Sequence, residues 1–370
     1  MQSKPLDYRD LIIKNLKKRY KKIFYYDFNK NSVDKLEKTL LKIKLDYNEK
    51  TDFPIAVYLE QGEIQSFLPQ SKISLNTYTL YKLIQKINLY NVDFIFALNW
   101  GPGMELQIKN FLKKKEVHNR YKYFNLIIPN KIDPAKVKWK HHLPLYRFCY
   151  VSHNNKLHRT LFAKFCLLHN LHQENLIAFT DYTQTYSWFD IKTAGNMNEF
   201  IFADSSEDNW ITSKKNIELW DSANVPTKSH HLVPKYDLEI YQPYQEYAYF
   251  TIISETVFNY PYPRPTEKIY SVILSKRPFI LFAPANTLRY LKEIGFKTFE
   301  GIIDEHYDTI EDPDSRFSAV CDLISNLNSL PIHQFEKIFY QCQNVLKHNL
   351  KHLIKLSNTN VDLLLELNNI

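Results

Sequence analysis

Short hydrophobic runs alternate along the chain with segments in which apolar residues recur at helical spacing. In the first half, runs rich in aromatic and β-branched residues predict strands at Ile23–Tyr26, Ile55–Leu59, Val92–Leu98 and Phe124–Ile128. Helical spacing predicts helices at Asp7–Lys22, from Asn29 or Ser32 to Leu45, at Thr77–Ile87 and at Met104–Lys115. This alternation is typical of a parallel sheet flanked by helices.

The second half repeats the alternation. Strands are predicted at Arg147–Ser152, Ile177–Phe179, Tyr247–Ser254, Phe279–Phe282 and Phe296–Phe299. Helices are predicted at His158–His169, Leu288–Ile294, Arg316–Asn328 and Ile332–Ser357, the last long and amphipathic. The intervening stretch Thr183–Val233 is polar and weakly patterned, and we expect its tryptophans, Trp188, Trp210 and Trp220, to anchor it.

One stretch, Thr251–Phe282, has the order strand, loop, helix, strand. Its loop, Asn259–Pro265, holds three prolines, and Thr266 is suited to cap the helix that follows. Ligands of parallel α/β sheets bind at the carboxyl ends of the strands, beside helix N-termini. The residues expected at that edge are Glu255, Glu267 and Lys268.

Proline and charge without periodicity mark Pro129–Pro144 as the best linker candidate. We therefore predict an α/β protein with two Rossmann-like domains facing a central cleft. The N-terminal domain would span residues 1–135 and the C-terminal domain residues 145–335. A terminal helical segment, residues 336–370, would follow.

Composition adds a net charge of +8, with lysine clusters at Lys14–Lys22 and Lys109–Lys115. Such charge attracts nucleotide phosphates, nucleic acid or a membrane face, or it belongs to solvated helix faces in a lysine-rich proteome. The four cysteines lie far apart without a C-x-x-C pair, which argues against a zinc site of that type. Without a signal segment or a membrane span, we expect a cytoplasmic protein, free or peripheral at the membrane face.

The stretch Thr251–Phe282 also carries a family resemblance. Its Glu-Thr, variable loop, Thr-Glu-Lys-Ile, helix and Arg-Pro-Phe-Ile resemble the C-terminal donor-binding segment of GT-B glycosyltransferases, closest to the α1,3-fucosyltransferase family. The resemblance covers roughly Arg147–Leu327, and Ile253–Thr256 approximates the family's Phe-Glu-Asn-Ser. It implies the GT-B fold, with residues 1–135 binding the acceptor, residues 145–335 binding the nucleotide sugar, and residues 336–370 packing back on the first domain. It also implies sugar transfer from a nucleotide donor, inverting and metal-independent, with GDP-fucose as the family's donor. No further cofactor is expected.

The resemblance implies roles for residues of the second half. Lys268 and Arg159 would bind the diphosphate, with Asn154 in the same strand-to-helix junction, and Glu267 would accept hydrogen bonds from ribose or sugar hydroxyls. Glu255 would contact the donor or pair structurally with Arg264 or Lys268. The alternative is that these are solvated helix residues and a first-turn charge.

Other candidates come from the residues alone. Gly101 and Gly103 form a strand-to-helix turn that either faces the cleft or is required by the fold. Glu60 and Glu105, at strand ends of the first half, are candidates for the catalytic base. Asp304 and Glu305 would line the cleft in an acidic loop. Asp312-Pro313-Asp314 resembles a metal-binding D-x-D in letters only, and no metal site is expected.

Three functions remain open at this point. The first is transfer of a sugar to a glycan, lipid-linked or protein acceptor, with the fucosyl or another hexosyl donor. The second is a non-catalytic GT-B-like binding protein. The third, suggested by the charge of +8, is a nucleic-acid-binding or DNA-modifying protein, which would need a contiguous basic stripe.

Overall fold

A computed structural model describes residues 22–27, 33–46, 55–60, 92–98, 120–125, 144–153, 156–180, 210–222, 245–260 and 263–366. The chain divides into two compact units. The first comprises Met1–Ile132, Asn198–Asp204 and Leu356–Ile370, and the second Asp133–Met197 and Ser205–Lys355. Residues 129–143 of the predicted linker lie outside the described residues.

The first unit contains a parallel sheet of four strands in the sequential order β1-β2-β3-β4. Its elements are β1 (Lys22–Asp27), α1 (Val33–Asp46), β2 (Ile55–Glu60), β3 (Val92–Leu98) and β4 (Arg120–Asn125). The predicted strands at Ile23, Ile55 and Val92 and the helix ending near Leu45 are confirmed. The fourth strand begins earlier than predicted, because Arg120 already pairs with Asp93 of β3.

The second unit contains a separate parallel sheet of four strands in the order β6-β5-β7-β8. Its strands are β5 (Tyr146–His153), β6 (Leu176–Thr180), β7 (Ala248–Ser254) and β8 (Phe279–Phe282). Every residue of β7 and β8 is buried, as expected for parallel strands covered on both faces. Two separate parallel sheets confirm the α/β class with two Rossmann-like units.

Helices separate and follow the strands of the second sheet, and the last of them extends into the first unit from Leu356. They are α2 (Leu157–Leu168), α3 (Leu171–Glu174), α4 (Lys214–Ser222), α5 (Glu267–Leu274), α6 (Thr287–Glu293), α7 (Pro313–Ser329), α8 (Ile332–Gln341) and α9 (Gln343–Glu366), with a 3₁₀ turn at His306–Thr309. Aromatic rings fill the core between them, for example Phe258, Phe282 and Phe317, whose centroids lie 5.3–6.3 Å apart.

Two predictions for the second half were wrong, and one helix was not predicted. A helix, α4, lies within the stretch read as weakly patterned, although Trp210 and Trp220 are buried there as expected. The predicted single helix Ile332–Ser357 is two helices, which meet at Cys342. Residues Phe296–Phe299 form no strand.

The reason for the missing strand is that side chains take up the backbone groups of that segment. Asn349 of α9 accepts from the Lys297 amide and donates to the Lys297 carbonyl, both at 2.8 Å. Glu305 accepts from the Phe299 amide at 2.7 Å. With these groups already paired, residues 296–299 have fewer amides and carbonyls to offer a sheet neighbour.

Candidate functional site

The strand order of the second sheet changes direction beside β5. The chain leaves β5 for β6 on one side and then crosses to β7 and β8 on the other. In open α/β sheets the crevice at such a reversal, outside the carboxyl ends of the strands, is the usual ligand site. The residues that follow β5 and β7 are therefore the first candidates for function.

Glu255 follows β7 directly, and its side chain is fully buried. Its Oε1 accepts from the Thr266 amide at 2.9 Å, and its Oε2 accepts from the Thr266 hydroxyl. The Lys268 ammonium lies 3.9 Å from Oε2. A buried carboxylate needs such partners to offset the loss of hydration, so the structural pairing with Lys268, one of the two predicted alternatives, is present.

Thr266 and Lys268 form the start of α5. Thr266 is the N-cap, as predicted, and its hydroxyl accepts from the Lys268 amide at 3.4 Å. The Lys268 ammonium donates to the hydroxyls of Thr266 at 3.1 Å and Thr256 at 3.2 Å. The Lys268 side chain keeps 21% of its surface exposed. The site thus combines a buried acid with a cation that reaches solvent.

Two residues of the first turn of α2 hold the end of β7. Nη2 of Arg159 donates to the carbonyls of Ser254 at 3.2 Å and Glu255 at 2.9 Å. Nε2 of His158 lies 3.1 Å from the Glu255 carbonyl, and its ring stacks on Phe258 at 5.3 Å between centroids. Arg159 is buried, and Nη2 of its guanidinium binds the backbone at the end of β7. Its predicted contact with a diphosphate stays a prediction.

Arg316 of α7 binds loops of the same region and was not among the predicted residues. Its guanidinium is buried and donates to four backbone carbonyls, those of Phe258, Ala283, Ile310 and Glu311, at 2.6–3.1 Å. It also lies over the Phe258 ring, 4.6 Å from the centroid. Nothing in the sequence near Arg316 signals this role, because its partners come from three separate loops.

The acidic loop at 304–308 makes local contacts. Asp304 is exposed and accepts from the His306 amide at 2.9 Å. Burial raises the pKa of Glu305, whose carboxylate accepts from the Phe299 amide. Burial also raises the pKa of Asp308, although hydrogen bonds from the amides of Leu288 and Arg289 at the start of α6 oppose that rise. The loop therefore organises the backbone around α6, and a role for Asp304 and Glu305 in a cleft stays a prediction.

The D-x-D letters belong to a helix start. Asp312 is the N-cap of α7 and accepts from the Ser315 amide at 2.8 Å, with Pro313 as the first helical residue. Asp314 is buried and accepts from the backbone amides of Thr212 and Ser213 and from the Asn216 side chain. Among the residues that the structure describes, no group of three or more His, Cys, Asp or Glu side chains could hold a metal ion.

The remaining predicted site residues lie at the ends of elements or outside the described residues. Glu60 is the last residue of β2 and Glu267 the first of α5, and only their backbone is described. Outside the described residues lie Gly101, Gly103, Glu105 and Asn154. The structure thus brings together Arg159, Glu255 and Lys268 at one sheet edge.

No family model matches the chain, and no curated protein matches it. Solved structures similar to it include one described as "Trehalose-6-phosphate from E. coli bound with UDP-2-fluoro glucose". It has 12% identity and a TM-score of 0.42, and the match covers 89% of this chain and 77% of that chain. A UDP-forming trehalose-phosphate synthase from Burkholderia xenovorans has 10% identity, a TM-score of 0.40, and coverage of 89% and 78%. The DNA-modifying enzyme β-glucosyltransferase has 11% identity, a TM-score of 0.34, and coverage of 94% and 98%.

Among the helices that the structure describes, none has both the length and the apolar character needed to cross a bilayer.

Proposed function

We propose that the protein is a GT-B glycosyltransferase that moves a sugar from a nucleotide-sugar donor to a hydroxyl acceptor. The observation that carries the proposal is the position of Lys268. Its partly exposed ammonium lies at the N-terminus of α5, at the carboxyl edge of a parallel sheet and beside the reversal of strand order. Positive charge and a helix N-terminus at this edge suit a diphosphate.

The donor would lie on the solvent side of Lys268. A cavity of about 20 Å³ beside Lys268 is lined by residues that include Val151, Ser254, Lys268 and Val272. That volume holds about one water molecule, whereas ligand pockets occupy roughly 300–1,000 Å³. Glu267 would accept hydrogen bonds from ribose or sugar hydroxyls, and Arg159 would be a second cation near the diphosphate.

The finer proposal follows the fucosyltransferase-like resemblance. Transfer would be inverting and metal-independent, with a GDP-linked donor as first candidate and another nucleotide hexose as the alternative. The catalytic base would come from the first unit, as Glu60 or Glu105, and the acceptor would be a glycan, lipid-linked or protein hydroxyl. Two units that each hold a parallel sheet, in one chain, support the GT-B assignment.

The first test is thermal stabilisation by UDP, GDP and their sugar conjugates. A ligand that binds only the folded state stabilises it by about 2.7 kcal/mol at one hundred times Kd. We expect one nucleotide family to raise the melting temperature, and Lys268→Ala to weaken its binding at least about tenfold. Lys214→Ala is the control, because Lys214 is exposed and pairs with Glu218 one helical turn away, at 3.6 Å. If no nucleotide or nucleotide sugar shifts the wild type, the proposal is wrong.

The second test separates catalysis from binding. Glu267→Gln keeps the shape of the side chain and removes the charged acceptor, so we expect turnover to fall at least about tenfold, equivalent to roughly 1.4 kcal/mol of transition-state binding. Release of the nucleotide from the sugar donor, with glycan, lipid and DNA acceptors supplied in turn, measures it. Binding without any release or transfer would instead identify a binding protein, and transfer only to DNA a DNA-modifying enzyme.

A further inference from the structure

The Thr266 hydroxyl lies between a fully buried carboxylate and a partly exposed ammonium. It contacts Oε2 of Glu255 on one side and the Lys268 ammonium, at 3.1 Å, on the other. Glu255 has no exposed surface, whereas the Lys268 side chain keeps 21%. The three residues therefore form a chain from the interior to the ligand side of the sheet edge.

The direction of the hydrogen bonds in this chain is fixed by chemistry. A threonine hydroxyl has one hydrogen to donate and two lone pairs to accept with. The amide and the ammonium of Lys268 are both donors directed at its oxygen. The hydroxyl hydrogen is thus left for Glu255, which accepts it as an ionised carboxylate. A glutamine at position 255 could not accept both hydrogen bonds from Thr266, because its amide group has one acceptor oxygen and one donor nitrogen.

The buried end of the chain is firmly anchored. The Glu255 amide donates to the Phe282 carbonyl of β8 at 2.9 Å, and the Glu255 carbonyl accepts from Arg159. At the exposed end of the chain of contacts, the Lys268 ammonium also donates to the hydroxyl of Thr256, the residue after Glu255, at 3.2 Å. A lysine has a long flexible side chain, and holding it in place beforehand reduces the entropy lost when a ligand binds.

We propose that Glu255 and Thr266 are positioning residues, which hold the Lys268 ammonium where the donor's diphosphate binds. This inference rests on the proposed function. It replaces a direct contact between Glu255 and the donor with an indirect one, through Thr266 and Lys268.

The sign of one substitution distinguishes positioning from simple electrostatics. Glu255 carries a negative charge close to where the diphosphate would bind, and like charges repel. If charge alone mattered, Glu255→Gln would strengthen nucleotide binding. If Glu255 positions Lys268, the same substitution weakens it.

The experiment measures the affinity for UDP and GDP by calorimetry, using whichever nucleotide binds the wild type. We expect Glu255→Gln and Thr266→Val each to weaken binding about tenfold, and Thr266→Ser, which keeps the hydroxyl, to stay within about twofold of the wild type. In a Lys268→Ala background neither substitution should weaken binding further, because the residue they position is absent. Should Glu255→Gln fail to fold, Thr266→Val carries the same test.

Asp312→Ala is the control for loss of a helix cap, since Asp312 caps α7 just as Thr266 caps α5. It should lower the melting temperature and leave nucleotide affinity unchanged. Unchanged or tighter binding in folded Glu255→Gln overturns the inference, and so does further weakening in the Lys268→Ala background. A wild type that binds neither nucleotide refutes the proposed function as well, whereas binding lost only in Lys268→Ala refutes this inference alone.

Discussion

Gly295, two residues after the end of α6, tests how α9 packs against the rest of the second unit. Its φ is +94°, a conformation that residues with a side chain rarely adopt. A Cβ at this position would lie 2.6 Å from both Cε1 and Nε2 of His352 in α9. The same His352 nitrogen lies 2.7 Å from the Ile294 carbonyl. An alanine at 295 would therefore strain the backbone and also displace the ring.

The two costs can be estimated separately. A positive φ for a residue with a Cβ costs about 1–2 kcal/mol. Displacing His352 removes a hydrogen bond worth about 0.5–1.5 kcal/mol and disturbs its edge contact with Phe296, 4.8 Å away between centroids. We expect Gly295→Ala to reduce the free energy of unfolding by about 2–4 kcal/mol.

Gly301 is a matched control for the backbone term. Its φ is +79°, and a Cβ there would meet no atom within 4 Å. Gly301→Ala should therefore cost only the strain, about 1–2 kcal/mol. Equilibrium unfolding in guanidinium, followed by circular dichroism, measures both variants.

A double variant isolates the clash. In a His352→Ala background the ring is gone, so Gly295→Ala should cost no more than Gly301→Ala. Equal losses for the two glycine variants in the wild-type background would refute the inferred packing of α9 against residue 295.

Three further predictions concern buried polar groups. Arg316→Lys should lower the free energy of unfolding by about 2–4 kcal/mol. A lysine ammonium cannot reach all four carbonyls that Arg316 binds, and a buried carbonyl left unpaired is costly. A loss under about 1 kcal/mol, measured by guanidinium unfolding, would contradict this prediction. Burial disfavours the charge of Asp314, but hydrogen bonds led by the Ser213 and Thr212 amides outweigh burial and lower the pKa of Asp314. The stability contributed by Asp314 is therefore complete above the unfolded pKa of about 3.9 and lost as pH falls through the lower folded value; melting curves against pH should show a smaller acid loss for Asp314→Asn than for the wild type, and parallel curves would exclude the effect. Thiol reagents should react with the native protein far more slowly than with the unfolded chain, because burial raises the pKa of each thiol and limits access of the reagent. The thiols are those of Cys149, Cys166, Cys321 and Cys342. Rapid labelling of any of them in the native protein, measured by mass spectrometry, would contradict their burial.

Much of the second sheet could be predicted because parallel strands buried on both faces are continuous apolar runs. Ala248–Ser254 and Phe279–Phe282 are such runs, and Pro263 and Pro265 leave the loop between them little alternative. Helix α4 could not be found this way. It is short and largely polar, and its place depends on Asp314, about a hundred residues later in the chain, which binds the residues at its start.

The candidate site was predictable in its location but less so in its contacts. The positions of Glu255 and Lys268 followed from a strand end and a helix start, which are local signals. Arg159 binds the Glu255 carbonyl because β7 lies beside β5. The order of strands in a sheet cannot be predicted from local sequence patterns. From the sequence, Thr266 could be predicted only as a helix cap. Its contact with Glu255 depends on the conformation of the loop that precedes it.

The contact between Asn349 and Lys297 has a consequence for the order of events during synthesis. The strands of the second sheet are translated well before α9, yet the backbone of residue 297 obtains its partners from Asn349. The first unit likewise includes Leu356–Ile370 together with Met1–Ile132. Domains usually fold in turn as they leave the ribosome, but here both units await the same late segment. We expect a chain stalled before α9 to hold two incomplete units at once, and so to be an early target for chaperones and proteases.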